Sequence, residues 1–504
     1  MILPSKTTEK SYVCTTIVTV SAVALVVASL VMPMITAATN KAYAATPTDN
    51  IRYKITEKTN DNISGTWNGS LKITPQVELK IVFNFKSEDD GKQSVTLDSP
   101  NQGVYGITGE VNILSNDSVN VTIKSIGLSF AGRKQEGKLI GIYSQGAMKT
   151  ALELYPGTVE LKRPQTPRSP FPYTTKEIKL NNSSDNITLS GTLTLPKDYT
   201  TSTPSVVMVT GSGLQNRDEE LYRHKPFAVI ADYLARNSIA SLRYDDRGYG
   251  ESTGDGTIAT TEDFARDART ALEYMRIVEN FNNVGLLGHS EGATIAFMLG
   301  AEHNTNVHDS IYITDSFKPD FIVAIGAQAV RGDTILTDQS AILLKQQNMS
   351  EDMISDYVEA LYKMYDLKIT KGNNTATDSI DAICKKWNNT HAHTSLKTNL
   401  KSISSDTNPW LNFYIRFSPA KSISATHCPV FVLYGEKDIQ VRPELNMPQM
   451  KNLAPKAQIK LYPELNHLFQ HAQTGAIQEY GIIEETISPE VLQDIADFIL
   501  STNQ

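Results

Sequence analysis

Apolar and polar residues alternate along the first part of the chain beyond residue 50. The alternation is nearly unbroken from Val77 to Lys86, which predicts a strand with one buried face. Similar runs follow at 109–114, 119–130 and 139–143, between clusters of Gly, Asn, Asp and Ser. Strands at such short intervals, with no helical period between them, favour an antiparallel barrel or sandwich. We therefore expect a small β domain over residues 45–162.

Four prolines lie within residues 163–172. Proline fixes φ and lacks a backbone N–H, so this composition resists both a helix and a central strand. We expect these ten residues to form a linker between two domains.

Strand-like and helix-like periods alternate after the linker. Apolar runs at 205–209, 239–244 and 284–287 have the length of buried strands, and apolar residues recur at helical spacing within 227–234 and 264–275. This alternation predicts an α/β fold over residues 173–504, with a mostly parallel sheet and flanking helices.

A polar segment that favours helix interrupts this alternation from about residue 304 to 426. We expect a helical cap insertion there, above the carboxyl edge of the sheet. The apolar run 321–325 within it has the character of a further sheet strand. A surface insertion with no role at the site is the alternative.

The first 44 residues have the pattern of an export signal. Lys6 and Lys10 precede an uncharged stretch from Ser11 to Asn40, and an Ala-Tyr-Ala sequence follows. This order of charged, apolar and small residues is typical of a cleaved signal peptide. We expect residues 1–44 to be removed and the protein to be secreted or held at the cell surface. Retention of the segment as a membrane anchor is the alternative.

Charge and cysteine content narrow the class of protein. The chain of 504 residues has 40% hydrophobic and 20% charged residues and a net charge of −8, a globular composition. Residues 1–44 carry a net +2, so the mature chain would have −10. An acidic chain without clustered Lys and Arg is not expected to bind nucleic acid. Only Cys384 and Cys428 would remain after export. Two cysteines are too few for a disulfide framework, and the sequence leaves undecided whether they form a single bridge.

A candidate nucleophile lies where a predicted strand meets a predicted helix. The strand 284–287 leads into Gly288-His289-Ser290-Glu291-Gly292, after which residues 293–299 favour helix. In a G-x-S-x-G sequence of this context, the serine lies on a sharp turn with its hydroxyl exposed at the sheet edge. Ser290 is therefore the predicted nucleophile.

A general base and an acid follow in the C-terminal region. A serine hydroxyl needs an imidazole to take its proton and a carboxylate to orient that imidazole. Asp438 follows the buried-type strand 428–435, and His467 follows the strand 457–462. Parallel sheets bind their ligands at such strand ends. We predict Asp438 as the acid and His467 as the base, with Glu436 and His471 as the alternatives.

Two backbone N–H groups would stabilise the oxyanion of such a reaction. The N–H of Glu291 is one, because this residue directly follows the nucleophile. The second is expected from the glycine-containing loop after the strand 205–209. Ser212 is the first choice there, with Gly213 and Leu214 as alternatives.

Taken together, these motifs resemble a known family. The motifs in question are Gly211–Glu219, Arg243–Ser252, the serine pentapeptide, Gly435–Asp438 and Asn466-His467. They are similar to those of bacterial carboxylesterases near the dienelactone-hydrolase and S33-type serine hydrolase branches of the α/β-hydrolase superfamily. The resemblance extends from residue 173 to the C-terminus and implies Ser290, Asp438 and His467 as the catalytic triad. Similar enzymes often carry a preceding β domain.

Two residues depart from the pattern of this family. Thr210 stands where many relatives have His, and Asp246 stands where a basic residue is common. We interpret the charged residues of the two loops as a network that braces them. These residues are Arg217, Asp218, Glu219, Asp245, Asp246 and Arg247.

The sequence thus predicts an exported serine carboxylesterase that hydrolyses carboxylic esters through an acyl-serine intermediate, with a small-molecule or acylated substrate. No metal or organic cofactor and no nucleic-acid partner is expected, and a membrane contact is expected only if the N-terminal segment is retained. A serine aminopeptidase or other amide hydrolase is the first alternative, and acyl transfer is the second. From a different class, a catalytically silent binding module is a further alternative.

Overall fold

The computed structural model describes residues 63–72, 78–87, 93–115, 117–146, 148–159, 161–301, 318–387 and 391–503. The predicted export signal lies outside these residues. Within the described ranges, no helix is long and apolar enough to cross a bilayer.

Residues 65–156 form a closed barrel of eight antiparallel strands, in which each strand pairs with the next and the last closes against the first. The strands are β1 Gly65–Lys72, β2 Glu78–Ser87, β3 Gln93–Ser99, β4 Val104–Ser115, β5 Ser118–Ile123, β6 Leu128–Gln135, β7 Lys138–Gln145 and β8 Met148–Pro156. Alternate apolar side chains point inward, and Trp67, Phe83 and Phe130 are buried in the barrel core. The run 119–130, which the sequence pattern presents as one strand, is broken by a short 3-10 turn at Lys124–Ile126.

The second sheet has eight strands in the order β16-β15-β14-β13-β11-β12-β10-β9. These strands are β9 Thr174–Asn182, β10 Ile187–Leu195, β11 Ser205–Val209, β12 Ala240–Tyr244, β13 Val284–His289, β14 Ile322–Ile325, β15 Val430–Gly435 and β16 Gln458–Tyr462. The six strands from β11 to β16 run parallel, and the hairpin of β9 and β10 joins them antiparallel at one edge. The predicted architecture, a β domain followed by a mostly parallel sheet with flanking helices, is confirmed.

Helices cover both faces of this sheet. The helices are α1 Pro226–Arg236, α2 Thr261–Ile277, α3 Glu291–Gly300, α4 Gly332–Gln346, α5 Glu351–Lys371, α6 Asn373–Ile383, α7 His391–Ser405, α8 Pro409–Tyr414, α9 Ala420–Ser424, α10 Pro443–Leu453, α11 Ile477–Tyr480 and α12 Pro489–Ser501. Apolar residues of α2, α3 and α10 pack on one face, and those of α1 and α12 pack on the other. Helix α2 begins with a capping box between Thr260 and Asp263, which satisfies two backbone donors at its start.

Helices α4 to α8 form the cap, which has its own core around Tyr357, Leu361 and Tyr365. The buried Ile423 of α9 instead packs in the core of the sheet. Strand β14 lies inside the range 304–426 that the sequence assigns to the insertion, yet it pairs with β13 and β15 in the sheet. The cap helices therefore begin only after β14. The apolar run at 321–325 predicts this strand.

The proline-containing segment 163–172 has neither helix nor strand. Its first residue, Arg163, is buried and donates hydrogen bonds to the carbonyl oxygens of Tyr222 (2.9 Å), Gly481 (2.9 Å) and Ile483 (3.0 Å). The start of the linker is therefore docked on the second domain.

Candidate active site

Ser290 occupies a strained turn between β13 and α3. Its φ of +55° and ψ of −115° are unusual for a residue with a side chain, and such a conformation costs about 1–3 kcal/mol. The backbone holds it there, because the Ser290 N–H donates to the carbonyl of Ile325 on β14 (2.8 Å). The turn projects the serine at the carboxyl edge of the sheet, as the sequence predicts.

The two glycines of the pentapeptide leave no room for a side chain. A Cβ on Gly288 would lie 2.1 Å from the carbonyl oxygen of Gly292, and one on Gly292 would lie 2.0 Å from the carbonyl oxygen of Val209. The glycines therefore allow helix α3 to pack directly against β13 and β11.

Asp438 and His467 lie in contact at the same sheet edge. The Asp438 Oδ2 atom is 2.7 Å from His467 Nδ1, and Asp438 Oδ1 accepts the N–H groups of Gln440 (2.8 Å) and Val441 (2.9 Å). Both side chains are buried. A carboxylate held in this way places the proton of His467 on Nδ1, so that Nε2 is left to act as a base.

Gly326, directly after β14, lies against the ring of His467. Its φ is +59°, and a Cβ there would lie 3.1 Å from His467 Cε1 and 3.7 Å from Asp438 Oδ2. The residue before Gly326 is Ile325, whose carbonyl accepts the Ser290 N–H. The end of β14 therefore contacts the backbone of the predicted nucleophile through Ile325 and the ring of the predicted base through Gly326.

The two alternatives for the base and the acid lie elsewhere. His471 pairs with Glu485 at 2.9 Å, and its side chain is 58% exposed. Glu436 is exposed, and it accepts the backbone N–H of Glu464 (3.0 Å). Neither residue contacts the Asp438–His467 pair within the described hydrogen bonds.

The loop after β11 approaches the nucleophile closely. A Cβ on Gly211 would lie 3.3 Å from Ser290 Cβ, and the Gly211 N–H is occupied by Glu219 Oε1 (2.7 Å). In the described part of the chain, no acceptor takes the N–H of the next residue, Ser212. Glu291 is the first residue of α3, and the N–H groups at the start of a helix have no acceptor within it. Ser212 and Glu291 therefore offer two backbone donors beside Ser290, and their roles as oxyanion donors stay a prediction.

The two departures from the family pattern bond to each other. The Thr210 hydroxyl donates to Asp246 Oδ1 (2.9 Å), and Asp246 Oδ2 accepts the N–H of Gln215 (2.8 Å). Burial raises the pKa of Asp246 well above its usual range. The pair anchors both ends of the segment that carries Ser212.

The other charged residues of the two loops make separate contacts. Arg217 bonds to Asp245 through its Nε (3.1 Å) and Nη2 (2.7 Å) atoms and so joins the two loops. Arg247 instead points to α2 and the β9–β10 turn, where it pairs with Asp267 (2.7 Å) and Asp185 (2.6 Å). Arg217 and Asp245 therefore join the two loops in the way that the sequence interpretation expects. Arg247 instead stabilises a different part of the sheet.

The cap reaches the site through Trp410 on α8. Its Nε1–H lies 2.9 Å from both carboxylate oxygens of Glu291, which also accept the hydroxyl of Thr261 (2.6 Å) and a hydrogen bond from the Ser212 side chain. Glu291 is buried, and this burial raises the pKa of its carboxyl group. The side chain of Glu291, the residue directly after the nucleophile, therefore contacts the cap, helix α2 and the loop of Ser212.

Three contributors were not identified from the sequence, namely Gly326, Trp410 and Glu219 in its contact with Gly211 and His289. Gly326 follows a strand end, and a glycine at that position was the only available signal. Nothing in the local sequence marks the contact of Trp410 with Glu291 or that of Glu219 with His289, because these partners lie 119 and 70 residues apart. The contact of Glu219 with Gly211 spans eight residues of an irregular loop.

The described residues contain no group of three or more His, Cys, Asp or Glu side chains arranged to hold a metal ion. Cys384 and Cys428 are both free thiols, so the bridge that the sequence left open is not formed.

Comparison with known proteins finds a family model and a relative that each match part of the chain. Residues 224–398 match the family model described as serine aminopeptidase, S33. A segment of 205 residues is 30% identical to esterase EstD of Thermotoga maritima. This segment represents 41% of the present chain and 42% of EstD, so the match spans less than half the length of that relative.

Solved structures of similar shape include two esterases. The chain covers 94% of the Pyrococcus furiosus esterase Pf2001, at 14% identity and a TM-score of 0.39, over 66% of its own length. It covers 98% of Est1E of Butyrivibrio proteoclasticus, solved with ferulic acid bound, at 11% identity and a TM-score of 0.37, over 64% of its own length. The resemblance to S33-type hydrolases and bacterial esterases is thus found again in the segment matches. The sheet order and the serine turn are those of an α/β-hydrolase fold.

Proposed function

We propose that the protein is an exported serine carboxylesterase. The observation that carries the proposal is the Asp438–His467 pair at 2.7 Å, held against Gly326 beside the strained turn of Ser290. The likeness of the 205-residue segment to EstD supports an ester as the substrate class.

In the proposed reaction, Ser290 Oγ attacks the acyl carbon while His467 Nε2 takes the hydroxyl proton. Asp438 holds the ring and stabilises its charged form, and the N–H groups of Glu291 and Ser212 bind the oxyanion. His467 then gives the proton to the leaving alcohol, and an acyl-serine forms. Water, deprotonated by His467, attacks this ester in turn and releases the acid and the free serine.

A serine aminopeptidase is the second candidate, because the family model that matches residues 224–398 carries that description. A panel of nitrophenyl acyl esters and aminoacyl anilides discriminates the two. We expect ester turnover to exceed anilide turnover, and faster anilide turnover would favour the peptidase.

The nucleophile is tested on the same panel. We expect Ser290→Ala to lower kcat by about 10³-fold or more and to abolish labelling by a fluorophosphonate, with the label found on Ser290 in the unmodified protein. A wild-type protein that hydrolyses no substrate of the panel and resists the probe would support the silent binding module instead.

The proposed export is tested separately. Expression of the full chain in a bacterial host should yield a mature protein that begins at Ala45, as determined by N-terminal sequencing. A membrane-bound protein that keeps residues 1–44 would indicate an anchor. We propose a small-molecule or acylated substrate as the partner and no nucleic acid, in line with the acidic charge of the chain.

A further inference from the structure

A second histidine–carboxylate pair lies beside the predicted base. His289 Nδ1 is 2.9 Å from Glu219 Oε1, and His289 Nε2 is 3.0 Å from the backbone carbonyl oxygen of His467. The ring centroids of His289 and His467 are 4.6 Å apart. Both members of the pair are buried, His289 with 8% and Glu219 with 5% of its surface exposed.

The hydrogen-bond partners restrict where the protons of His289 lie. A backbone carbonyl only accepts, so Nε2 must carry a proton. A second proton lies between Nδ1 and Glu219 Oε1. On Nδ1 it makes an imidazolium–carboxylate pair, and on Oε1 it makes a neutral pair.

Two features favour the charged pair. Oε1 of Glu219 also accepts the N–H of Gly211 (2.7 Å), and a donor of this kind stabilises a negative oxygen. Burial by itself lowers the pKa of His289, but the charge and hydrogen bond of Glu219, with smaller effects of the His467 carbonyl and Asp438, outweigh it and raise this pKa. Among the described residues, the titratable groups that face His289 are Glu219, Asp438 and the His467 ring.

The same pair connects three loops. Glu219 holds Gly211, the residue before Ser212. His289 directly precedes Ser290, and its Nε2–H holds the main chain at His467. The oxyanion loop, the nucleophile turn and the loop of the base are therefore tied through two side chains in the molecule's interior.

We propose that His289 is held as an imidazolium by Glu219, and that this pair is a positioning device that sets the spacing of the oxyanion loop, the nucleophile and the base. The positioning role rests on the proposed hydrolase function. The protonation state does not, since it follows from the contacts alone.

The protonation state is tested first, on the full mature protein labelled with ¹⁵N in its histidine rings. The signals of His289 are assigned by their loss in His289→Gln. We expect both ring nitrogens to be protonated at pH 7–8. An unprotonated Nδ1 would overturn the charged pair, whether or not the protein turns over any substrate.

The positioning role is tested by Glu219→Gln, which keeps the side-chain shape but removes the charge. We expect loss of the Nδ1 proton signal and a fall in kcat of about tenfold or more, with KM within twofold and the thermal midpoint nearly unchanged. Glu219→Asp should restore part of kcat. Unchanged kcat in Glu219→Gln would overturn the positioning role. A fall in kcat that is accompanied by a large fall in the thermal midpoint, with no recovery of kcat in Glu219→Asp, would overturn it as well.

Glu485→Gln is the matched control. Glu485 pairs with His471 at the same 2.9 Å distance, but the His471 side chain is 58% exposed. We expect its kcat to match the wild type, and a loss equal to that of Glu219→Gln would overturn the specific role of the buried pair. If neither the wild type nor any variant is active or labelled by a fluorophosphonate, the proposed function fails, while the ring signals still decide the protonation state.

Discussion

At the scale of single residues, the candidate site depends on pairs whose members are far apart in the chain. Thr210 and Asp246, the two residues that depart from the family pattern, lie 36 positions apart and share a 2.9 Å hydrogen bond. Loss of either side chain would leave a buried polar group without this partner, which is costly. The Thr210 hydroxyl and the Asp246 carboxyl group therefore hold the loop of Ser212 together.

Gly326→Ala should impair the base specifically. The methyl group of the alanine would lie 3.1 Å from His467 Cε1, and the alanine backbone would have to keep the φ of +59°. Displacement of the ring should lower kcat by about tenfold or more, since catalysis is sensitive to shifts below 1 Å. Steady-state kinetics on a nitrophenyl ester measures the effect.

Gly372→Ala is the control for this change. Gly372 also has a positive φ (+88°), but a Cβ there meets no atom within 4 Å. Both variants should lose stability from backbone strain. For Gly372→Ala the loss should be about 1–3 kcal/mol, because its φ of +88° and ψ of +172° lie in a region essentially confined to glycine. Only Gly326→Ala should lose activity. Equal kcat values in the two variants would contradict the contact with His467.

At the scale of elements, the sequence predicts what is encoded locally. The apolar stripe of α2 and the alternation of β2 each repeat within one segment, so their positions follow from periodicity. Likewise, the order Ser290, Asp438, His467 follows from residues at strand ends. The apolar run of β14 marks it as a strand, but its position between β13 and β15 comes from pairing with distant residues, which a local pattern does not encode.

Contacts between elements are the part that the sequence does not predict. Trp410 is one aromatic residue among several in the cap. Its hydrogen bond to Glu291 depends on where the packing of the cap places α8 relative to the first residue of α3. In the same way, the pairing of Glu219 with His289 depends on the course of a loop with irregular backbone, where Glu219 has a φ of +52°. Such contacts are set by tertiary packing.

Trp410→Phe should loosen the cap. Phenylalanine keeps the stacking on Tyr414, whose ring centroid is 4.7 Å away, but removes the donor to the buried carboxylate of Glu291. A hydrogen bond to a charged group contributes about 1.5–3 kcal/mol. We expect faster proteolysis within the cap and a fall in kcat/KM of about three- to tenfold.

Trp387→Phe separates the hydrogen bond from a general loss of tryptophan packing. Trp387 also lies in the cap and packs near Tyr357 and His393, at centroid distances of 6.5 and 5.4 Å, away from the Glu291 contact. Its replacement should leave kcat/KM within about twofold of the wild type. The anchoring role of Trp410 would be contradicted if both variants lost activity to the same degree.

At the scale of the whole molecule, the two domains meet at a small set of side chains around the start of the linker. Arg163 docks the linker on the carbonyls of Tyr222, Gly481 and Ile483, and the Arg223 guanidinium lies 5.0 Å from the ring centroid of Tyr105 in the barrel. His224 follows directly, and its ring nitrogens lie 2.9 Å from the Thr486 hydroxyl and 3.0 Å from the Tyr480 carbonyl. The linker, the loop before α1 and the C-terminal segment therefore share one buried polar cluster.

This cluster makes the stability of the protein depend on pH. Burial, and then the positive charge of Arg163, lower the pKa of His224 to about 4, whereas a histidine in an unfolded chain titrates near about 6.5. Between these values the unfolded chain binds a proton that the folded chain excludes. The contribution of His224 is complete above about pH 6.5 and is lost as the pH falls toward 4, and the free energy of unfolding should fall by about 2 kcal/mol between pH 7.5 and pH 5.

Urea unfolding at the two pH values measures this loss in the wild type and in His224→Gln. The variant has no imidazole to protonate, so its loss between pH 7.5 and pH 5 should be smaller than that of the wild type by about 2 kcal/mol, whatever its stability at neutral pH. His471→Gln, which removes an exposed histidine, should keep the wild-type dependence. If His224→Gln and the wild type lose the same amount, the acid sensitivity arises elsewhere, and the buried cluster at the linker does not link folding to pH.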